Sequence, residues 1–322
     1  MGYETENAKQ DSAARAAWLY FIAGNTQEEI AQKLRISRPT AQRLVSLALS
    51  NRYVTFRFEH HVATCMELSE QMRARFGLKY CDIVPTDPSN PSSNAGVATS
   101  AAAFIEQTLS APSPITMAVG TGRTLRVAVD LIHPMECPQH TLVALVGNIA
   151  MDGSASFFDV LSRLADLTKT RHFPIPLPVL ADNEEQRDLL TSLRIVQRTH
   201  ALAQAAEVTL VGVGQMDLDA PQHIDGFISR EELLHQMRQG AVGEITGWSF
   251  DARGEILEGG VNARLTSVPI SSGKDRLVVG VASGEKKAKS IFSAINGQII
   301  NGLITDEATA TLILAQKVDA GS

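Results

Sequence analysis

The segment ITMAVGTGRTL, residues 115–125, decides the fold class of the larger part of the chain. Its first residues form a continuous apolar run, which is typical of a parallel strand covered on both faces by helices. Two glycines, Gly120 and Gly122, follow the run directly, and a helix is predicted over 123–132. Because open α/β sheets bind ligands beyond the carboxyl ends of their strands, we expect a binding site at this turn.

The same alternation of strand and helix continues along the chain and predicts a parallel sheet with helices on both faces. The predicted strands cover 79–84, 115–120, 141–147, 208–214 and 277–283, with a short strand ending at Ile304. The predicted helices cover about 94–109, 123–132, 155–169, 230–238, 286–295 and 306–317. Two further strands, over 243–250 and 256–270, indicate an antiparallel insertion near a site. The segments 170–195 and 255–275 are expected to be loops that shape the pocket.

The turn Gly120-Thr121-Gly122-Arg123-Thr124 has the chemistry of an anion-binding loop. Its glycines allow close backbone approach, its N–H groups and two hydroxyls can hydrogen-bond an anion, and the helix dipole favours negative charge. The loop lacks the third glycine of a dinucleotide fingerprint and the Gly-Lys-Ser/Thr of a P-loop, so no cofactor is predicted. A small sugar phosphate is the expected ligand. The alternative is a tight strand–helix turn whose hydroxyls are incidental.

Other strand ends supply further candidate residues. The side chains of Asn148 and Gln215 can bind sugar hydroxyls, and Lys287, at the start of a helix, is a candidate second phosphate ligand. Lys286 competes for that role, and both lysines can equally be solvated. Asp306 and Glu307 could form a catalytic acid pair, but the favoured interpretation is structural: Thr305 caps the last helix and both acids favour its N-terminal dipole.

Length and composition limit the class of protein. A chain of 322 residues with 44% hydrophobic and 20% charged residues is globular and long enough for about two domains. The three cysteines, Cys65, Cys81 and Cys137, are far apart, which argues against disulfides and structural zinc and favours the reducing cytoplasm. There is no HxH or HExxH grouping, so no metal is expected. The chain has no apolar run of the ~20 residues that a membrane span needs and no apolar signal core.

The net charge of −6 conceals a difference between the two parts of the chain. Residues 1–60 contain eight Lys and Arg against six acids, a balance of +2, which leaves −8 for the remainder. Between Ile30 and Phe58 there are six basic residues and no acidic one. A compact basic segment on an acidic body indicates a small nucleic-acid-binding domain, here residues 1–60, attached to a larger domain, residues 61–322.

The basic segment has the pattern of a helix-turn-helix. A first helix is predicted over 12–23, a second over 27–34 with Thr26 and Glu29 as a capping box, and a third that Ser37 caps. Arg35 stands in the turn, where glycine is common, and is expected to adopt a left-handed conformation at a cost of about 1 kcal/mol. The residues placed to contact DNA bases or phosphates are Ser37, Arg38, Thr40, Gln42 and Arg43. The alternative is a plain three-helix bundle with a solvated basic face.

Two segments follow this pattern. The stretch RYVTFRFEHH, residues 52–61, alternates with period two and predicts a short strand, as in the wing of a winged helix. Residues 62–78 predict an amphipathic helix that Gly77 ends. The apolar face of this helix fits the core of the larger domain and a dimer seam equally well.

The motifs together resemble a known family. The segments TQEEIAQKLRISRPTAQRLV, AVGTGRTL, LVGVG and LITDEATATLIL are similar, in this order, to the SorC/DeoR-type sugar-responsive transcriptional regulators. The resemblance covers nearly the whole chain. It implies an N-terminal DNA-binding domain and a C-terminal α/β Rossmann-like domain related to ribose-phosphate isomerases and glucosamine-phosphate deaminases. It also implies a homo-oligomer, a dimer or tetramer, whose binding to operator DNA a sugar, polyol or sugar phosphate controls.

The resemblance also extends the expected effector site. Gly120–Thr124 is similar to the family's phosphate loop and Lys287 to the lysine of its G-x-x-K-A segment. The complete expected set is Gly120, Thr121, Gly122, Arg123, Thr124, Gly147, Asn148, Gln215, Asp251, Arg264 and Lys287. Two functions follow as hypotheses: a cytoplasmic regulator of a carbohydrate or polyol operon that is not an enzyme, or a sugar-phosphate isomerase or deaminase with an appended helical domain. Turnover of sugar phosphates would distinguish the second from the first.

Overall fold

The computed structural model separates the chain into two compact units, residues 1–60 and 61–322. The residues that the structure describes are 2–51, 53–54, 62–149, 153–154, 160–273 and 275–317. Each unit has a hydrophobic core of its own.

The N-terminal unit contains three helices, α1 (Gly2–Phe21), α2 (Gln27–Leu34) and α3 (Arg38–Ser50). Their apolar faces meet in a small core that includes Ala16, Ile30, Ala41 and Val45. The first helix begins ten residues earlier than predicted. Residues 2–11 carry no apolar periodicity, but several of them, including Glu, Ala, Lys and Gln, are strong helix formers.

The turn and the helix ends have the predicted local structure. Thr26 and Glu29 form a reciprocal capping box at the start of α2, with the Thr26 N–H donating to the Glu29 carboxylate over 2.7 Å. Arg35 is left-handed, with φ 55° and ψ 46°. The Ser37 hydroxyl accepts a hydrogen bond from the Thr40 N–H at 3.3 Å and so caps α3. Of the predicted wing strand, residue 52 and residues 55–61 lie outside the described residues.

The C-terminal unit is an α/β fold. Its strands are β1 (Tyr80–Val84), β2 (Thr116–Val119), β3 (Thr141–Ile149), β4 (Arg171–Pro178), β5 (Val208–Gly212), β6 (Gly214–Gln215), β7 (Gly243–Ile245), β8 (Trp248–Phe250), β9 (Leu277–Val281) and β10 (Gly302–Asp306). Its α-helices are α4 (Ala63–Phe76), α5 (Ala95–Leu109), α6 (Arg123–Leu131), α7 (Leu161–Thr168), α8 (Glu184–Ser192), α9 (Arg194–Gln204), α10 (Pro221–Ile224), α11 (Arg230–Arg238), α12 (Ala288–Asn296) and α13 (Glu307–Ala315).

Seven of these strands form one sheet in the order β1-β10-β9-β5-β2-β3-β4, and every described pairing in it is parallel. The central strands are apolar throughout and buried, as Leu142, Leu145 and Leu210 illustrate. The predicted parallel sheet is therefore confirmed. A second, antiparallel sheet, β6-β7-β8, branches off after β5, and it contains the predicted insertion over 243–250.

One strand and three helices were not predicted: β4 and α8 lie in segment 170–195, which was expected to be a loop, and no helix was expected at α9 or α10. Strand β4 carries Pro174, Pro176 and Pro178, and prolines argue against a strand because they cannot donate to the ladder. β4 occupies the edge of the sheet, pairing with β3 alone among the described strands, and proline is tolerated there. Helices α8 and α9 follow it.

The strand expected over 256–270 does not form. The structure shows isolated bridges there, Phe250 to Ile256 and Leu180 to Leu265, and a short 3-10 turn, Asn262–Arg264. The Asn262 amide donates to the Ser249 and Leu257 carbonyls at 2.9 and 2.7 Å, and the Ser249 N–H donates to its oxygen. A side chain thus replaces the ladder hydrogen bonds of a strand. The strand expected over 208–214 also divides, at Val213, between the two sheets.

The last helix begins one residue later than predicted. Strand β10 pairs with β1 as far as Asp306, so α13 begins at Glu307 and its cap is Asp306 instead of Thr305. The Asp306 carboxylate accepts from the Thr309 N–H at 2.9 Å and is buried. The cap formed by Asp306 and the position of Glu307 in the first turn of α13 support the structural interpretation of these two acids. Among the described residues, no three His, Cys, Asp or Glu side chains are grouped as a metal site would require. No helix within the described ranges is long and apolar enough to cross a membrane.

Candidate functional site

A cavity of about 300 Å³ lies at the carboxyl ends of the central strands of the C-terminal unit. Its floor is formed where β5 and β9 end, at Gly212 and Val281, and one wall is the loop between β2 and α6. The turn between β7 and β8 and the segment around α10 form another part of the wall. The volume is at the lower end of the range for small-molecule sites.

The loop between β2 and α6 contributes Thr121, Gly122, Arg123 and Thr124 to the cavity wall. Gly122 precedes α6 with φ 134°, a conformation that side-chain-bearing residues rarely adopt, so this position requires glycine. The residue before α6 is Gly122, which has no side chain that could cap the helix. The Thr124 hydroxyl accepts a hydrogen bond from the Asn94 amide at 3.2 Å, and the Arg123 guanidinium is paired with Asp225.

A lysine and a glutamate lie together in the cavity lining. Burial lowers the pKa of Lys287, an effect that the Glu244 carboxylate opposes and the Arg123 guanidinium reinforces. Burial raises the pKa of Glu244, although the Gly247 N–H donates to its carboxylate over 2.9 Å. Lys287 is thus a partly desolvated cation, which an anionic ligand would stabilise. The neighbouring Lys286 is exposed and forms an ion pair with Asp219, so the structure separates the two lysines that the sequence left as alternatives.

Five of the expected effector residues lie together in the cavity lining: Thr121, Gly122, Arg123, Thr124 and Lys287. Three others, Gly120, Gly147 and Asn148, line a much smaller cavity beside it. Gly147 has a packing role of its own, because a Cβ at that position would lie 2.3 Å from the Leu177 carbonyl oxygen of β4.

The remaining three expected residues lie outside the lining of the main cavity. The Gln215 amide donates to the Asp219 carbonyl at 3.4 Å. Asp251 accepts hydrogen bonds from the N–H groups of Arg253 and Glu255, both at 2.9 Å, within a tight turn. Arg264 is paired with Glu232 on the wall of a separate surface pocket. These contacts involve Asp251, Arg264 and the nitrogen of Gln215, whereas the Gln215 amide oxygen is buried and has no hydrogen-bond partner among the described residues.

Several cavity residues were not predicted from the sequence. Gln222, Asp225, Glu244 and Thr246 all contribute to the lining. The sequence placed an antiparallel insertion over 243–250 and 256–270 near a site, but the only residue of it in the expected set was Arg264. The pair Thr246-Gly247 could have indicated a two-residue hairpin turn within 243–250. Such a turn fixes which side chains face the neighbouring loop.

The N-terminal unit presents the other expected surface. Ser37, Arg38, Gln42 and Arg43 are exposed, and Thr40 is half-buried, whereas Ala41 and Val45 of the same helix face the core. The Arg43 guanidinium donates to the Thr40 hydroxyl at 3.3 Å. The start of α3 therefore carries two cations and several hydrogen-bonding side chains on one accessible face.

The comparisons with known proteins agree with this architecture. Residues 60–315 match the family model Sugar-bind, described as "Putative sugar-binding domain". The erythritol catabolism regulatory protein EryD of Brucella abortus (strain 2308) is 28% identical over 310 residues, which cover 96% of this chain and 98% of that protein. The transcriptional regulator LsrR of Klebsiella pneumoniae is 31% identical over 316 residues, covering 96% and 94%.

A solved structure extends the comparison to both units. The full-length sorbitol operon regulator SorC of Klebsiella pneumoniae superimposes with a TM-score of 0.70 at 22% identity, covering 95% of this chain and 99% of that one. The match to the family model spans more than half of the chain. The chain belongs to the family of sugar-binding transcriptional regulators.

Proposed function

We propose that the cavity binds a phosphorylated sugar or sugar alcohol, and that the phosphate is held by the loop Thr121–Thr124 and Lys287. The observation that carries this proposal is the juxtaposition of the start of α6, two threonine side chains and a desolvated lysine in one cavity. Each of these groups stabilises an anion, and together they offer hydrogen-bond donors and a positive charge to one phosphate. The regulator EryD, whose name refers to erythritol catabolism, supports a polyol as the carbon skeleton.

We further propose that α3 reads operator DNA with Ser37, Arg38, Thr40, Gln42 and Arg43. Arginine and glutamine side chains have the reach and the donor pattern for base edges, and the start of α3 suits a phosphate of the backbone. Binding of the effector then changes the affinity for DNA, by a coupling of typically about 1–3 kcal/mol. The protein acts as a regulator and not as an enzyme, in the cytoplasm.

A homo-oligomer, a dimer or tetramer, is part of the proposal. Leu189 of α8, Leu193 between the helices and Ile195 of α9 are exposed apolar side chains within seven consecutive residues, which is a common property of subunit contacts. Light scattering of the native protein and of an Ile195→Asp variant tests this point. A monomeric native protein contradicts it.

The phosphate site is tested by isothermal titration with inorganic phosphate and with a set of sugar and polyol phosphates. We expect binding to the native protein and a loss of about tenfold or more with Thr121→Val, because a hydrogen bond to a charged group contributes about 1.5–3 kcal/mol. A Thr99→Val variant is the matched control, since the Thr99 hydroxyl donates to the Ala95 carbonyl within α5 and does not line the cavity. Equal affinities of native protein and Thr121→Val would refute the assignment of the loop.

The DNA-reading helix is tested with duplexes enriched from a random pool by the native protein. Arg43→Ala should weaken binding and reduce the slope of log affinity against log salt by about one, as expected for one lost phosphate contact. Arg15→Ala, in an exposed arginine of α1, serves as the control. If Arg43→Ala changes neither the DNA affinity nor the salt dependence of that affinity, the proposal that this face of α3 contacts DNA is contradicted.

A further inference from the structure

The segment 217–228, which we call the strap, forms one side of the cavity. It includes α10, and the strap residues in the cavity lining are Pro221, Gln222, Asp225, Phe227 and Ile228. Two other apolar side chains of the strap, Leu218 and Ile224, are exposed, at 55% and 63%. The strap therefore joins the cavity lining to a solvent-exposed apolar surface of the same unit.

Two ion pairs connect the strap to the neighbourhood of the proposed phosphate site. Asp225 pairs with Arg123, which lies in the loop between β2 and α6. Asp219 pairs with Lys286, one residue before Lys287. Both partners of the Asp219 pair are largely exposed, whereas the side chain of Asp225 is only 16% exposed. Because water and salt screen exposed pairs, we expect the Asp225 pair to hold the strap more firmly than the Asp219 pair.

The Asp225 carboxylate is bound to the same guanidinium that would attract a phosphate in this cavity. Burial raises the pKa of Asp225, and the positive charge of Arg123 opposes this effect. A guanidinium carries a single positive charge, so a second anion beside it is repelled by the first. An anionic ligand that binds Arg123 therefore competes with Asp225. A carboxylate that loses its cation in a poorly hydrated position moves toward water or takes up a proton, and either change breaks the contact between the strap and the loop.

We infer that Asp225 is an internal competitor of the phosphate, which must displace this carboxylate from Arg123 and thereby releases the strap. The inference rests on the proposed function, because it adds a regulatory contact to the proposed phosphate site. Release of the strap changes the surface that carries Leu218 and Ile224, so the contact converts occupancy of the cavity into a change at the exterior of the unit. The apparent affinity for phosphate is reduced according to the fraction of molecules in which Asp225 holds Arg123.

The competition is tested by isothermal titration of the full-length protein and its variants with inorganic phosphate. Asp225→Asn should bind phosphate about three- to tenfold more tightly than the native protein, the range expected if the pair forms in about two thirds to nine tenths of the molecules. Asp219→Asn is the matched control, because it removes a strap carboxylate whose ion pair is exposed and outside the cavity lining. Its phosphate affinity should stay within about twofold of the native value. Circular dichroism confirms folding, and Asp225→Ser replaces Asp225→Asn if the latter does not fold.

A double-mutant cycle separates competition for Arg123 from simple repulsion by a negative charge. If Asp225 acts by holding Arg123, the gain in phosphate affinity from Asp225→Asn should fall below about twofold in an Arg123→Gln background. Repulsion without competition predicts a gain of the same size in both backgrounds, and that result would overturn the inference.

Hydrogen–deuterium exchange measures the release of the strap. Peptides from 217–228 should exchange faster in the native protein when phosphate is saturating, because their contact with the loop is broken. In Asp225→Asn they should exchange at this faster rate both with and without phosphate. Peptides of α9, which does not line the cavity, should show no change and serve as the internal control.

The inference is also overturned if Asp225→Asn binds phosphate no more tightly than the native protein does, or if phosphate leaves the exchange of the strap unchanged or slows it. In these cases the native protein still binds phosphate, and the proposed function stands. If neither the native protein nor Asp225→Asn binds phosphate, both the proposed function and the inference are contradicted.

Discussion

The replacement Lys287→Met separates phosphate binding from stability. The variant keeps the length and apolar stem of the side chain and removes the charge that faces the cavity. A charge-assisted hydrogen bond to phosphate contributes about 1.5–3 kcal/mol, so the dissociation constant for inorganic phosphate should rise by roughly 10- to 150-fold.

Stability should change in the opposite sense or not at all. Burial lowers the pKa of Lys287, so the unfolded chain holds this proton more tightly than the folded one. The buried charge therefore lowers the free energy of unfolding at every pH below the pKa of Lys287 in the folded protein. This destabilisation disappears as the pH rises from that pKa to the higher pKa of the unfolded chain. Glu244, which loses its cation in the variant, can take up a proton because its pKa is raised. We expect an unfolding free energy equal to or higher than that of the native protein.

The assays are isothermal titration with inorganic phosphate and urea denaturation in phosphate-free buffer. Lys286→Met is the matched control, because the adjacent lysine is exposed and paired with Asp219 outside the cavity lining. Its phosphate affinity should equal that of the native protein. The role of Lys287 is refuted if Lys287→Met binds phosphate with the affinity of the native protein, or if Lys286→Met loses more phosphate affinity than Lys287→Met.

Three other changes have expected outcomes. Arg35→Gly relieves the left-handed arginine and should stabilise the N-terminal unit by about 1 kcal/mol, seen as a higher melting temperature; a lower one contradicts the strain. Gly147→Ala places a Cβ 2.3 Å from a backbone oxygen and should lower the unfolding free energy by roughly 1–3 kcal/mol, whereas Gly273→Ala, which meets open space, should change it by less than about 0.5 kcal/mol in urea denaturation. The affinity for sulfate should rise as the pH falls through the raised pKa of Glu244, because protonation of that carboxylate removes a negative charge from the cavity, and Glu244→Gln should flatten this profile; a profile of equal slope assigns the titration to another group.

The sequence predicts the parts of the fold whose cause is local. Capping residues such as Thr26 and Ser37 act within a few positions, and the buried strands are continuous apolar runs that need no knowledge of their neighbours. The loop Gly120–Thr124 belongs to the same class, because strand, glycines and helix are consecutive. The position of β4 at the sheet edge is not local. From the sequence alone, its prolines argue against a strand. The sheet order shows that β4 is an edge strand, so one of its sides needs no backbone hydrogen bonds to a neighbouring strand.

The same distinction explains which cavity residues the sequence missed. Gln222 and Thr246 are distant along the chain from the loop Gly120–Thr124, and a hydrogen bond to Gly247 and a hairpin turn bring them to the same cavity. Gln215 and Asn148 have equally suitable side chains and lie at the ends of predicted strands. The structure places the former against Asp219 and the latter in the smaller cavity. Residue type and strand ends identify the region of a site, and tertiary contacts decide which side chains face it.

The central claim, that a ligand in the cavity controls DNA binding by α3, is tested by one titration of the full-length protein. Fluorescence anisotropy with an enriched duplex measures the DNA affinity with and without a saturating amount of the polyol phosphate that binds most tightly. We expect the ligand to change the DNA affinity of the native protein by about 5- to 150-fold. The DNA affinity of Thr121→Val should not change at the same ligand concentration. A ligand that binds the native protein to saturation and leaves its DNA affinity unchanged would contradict it.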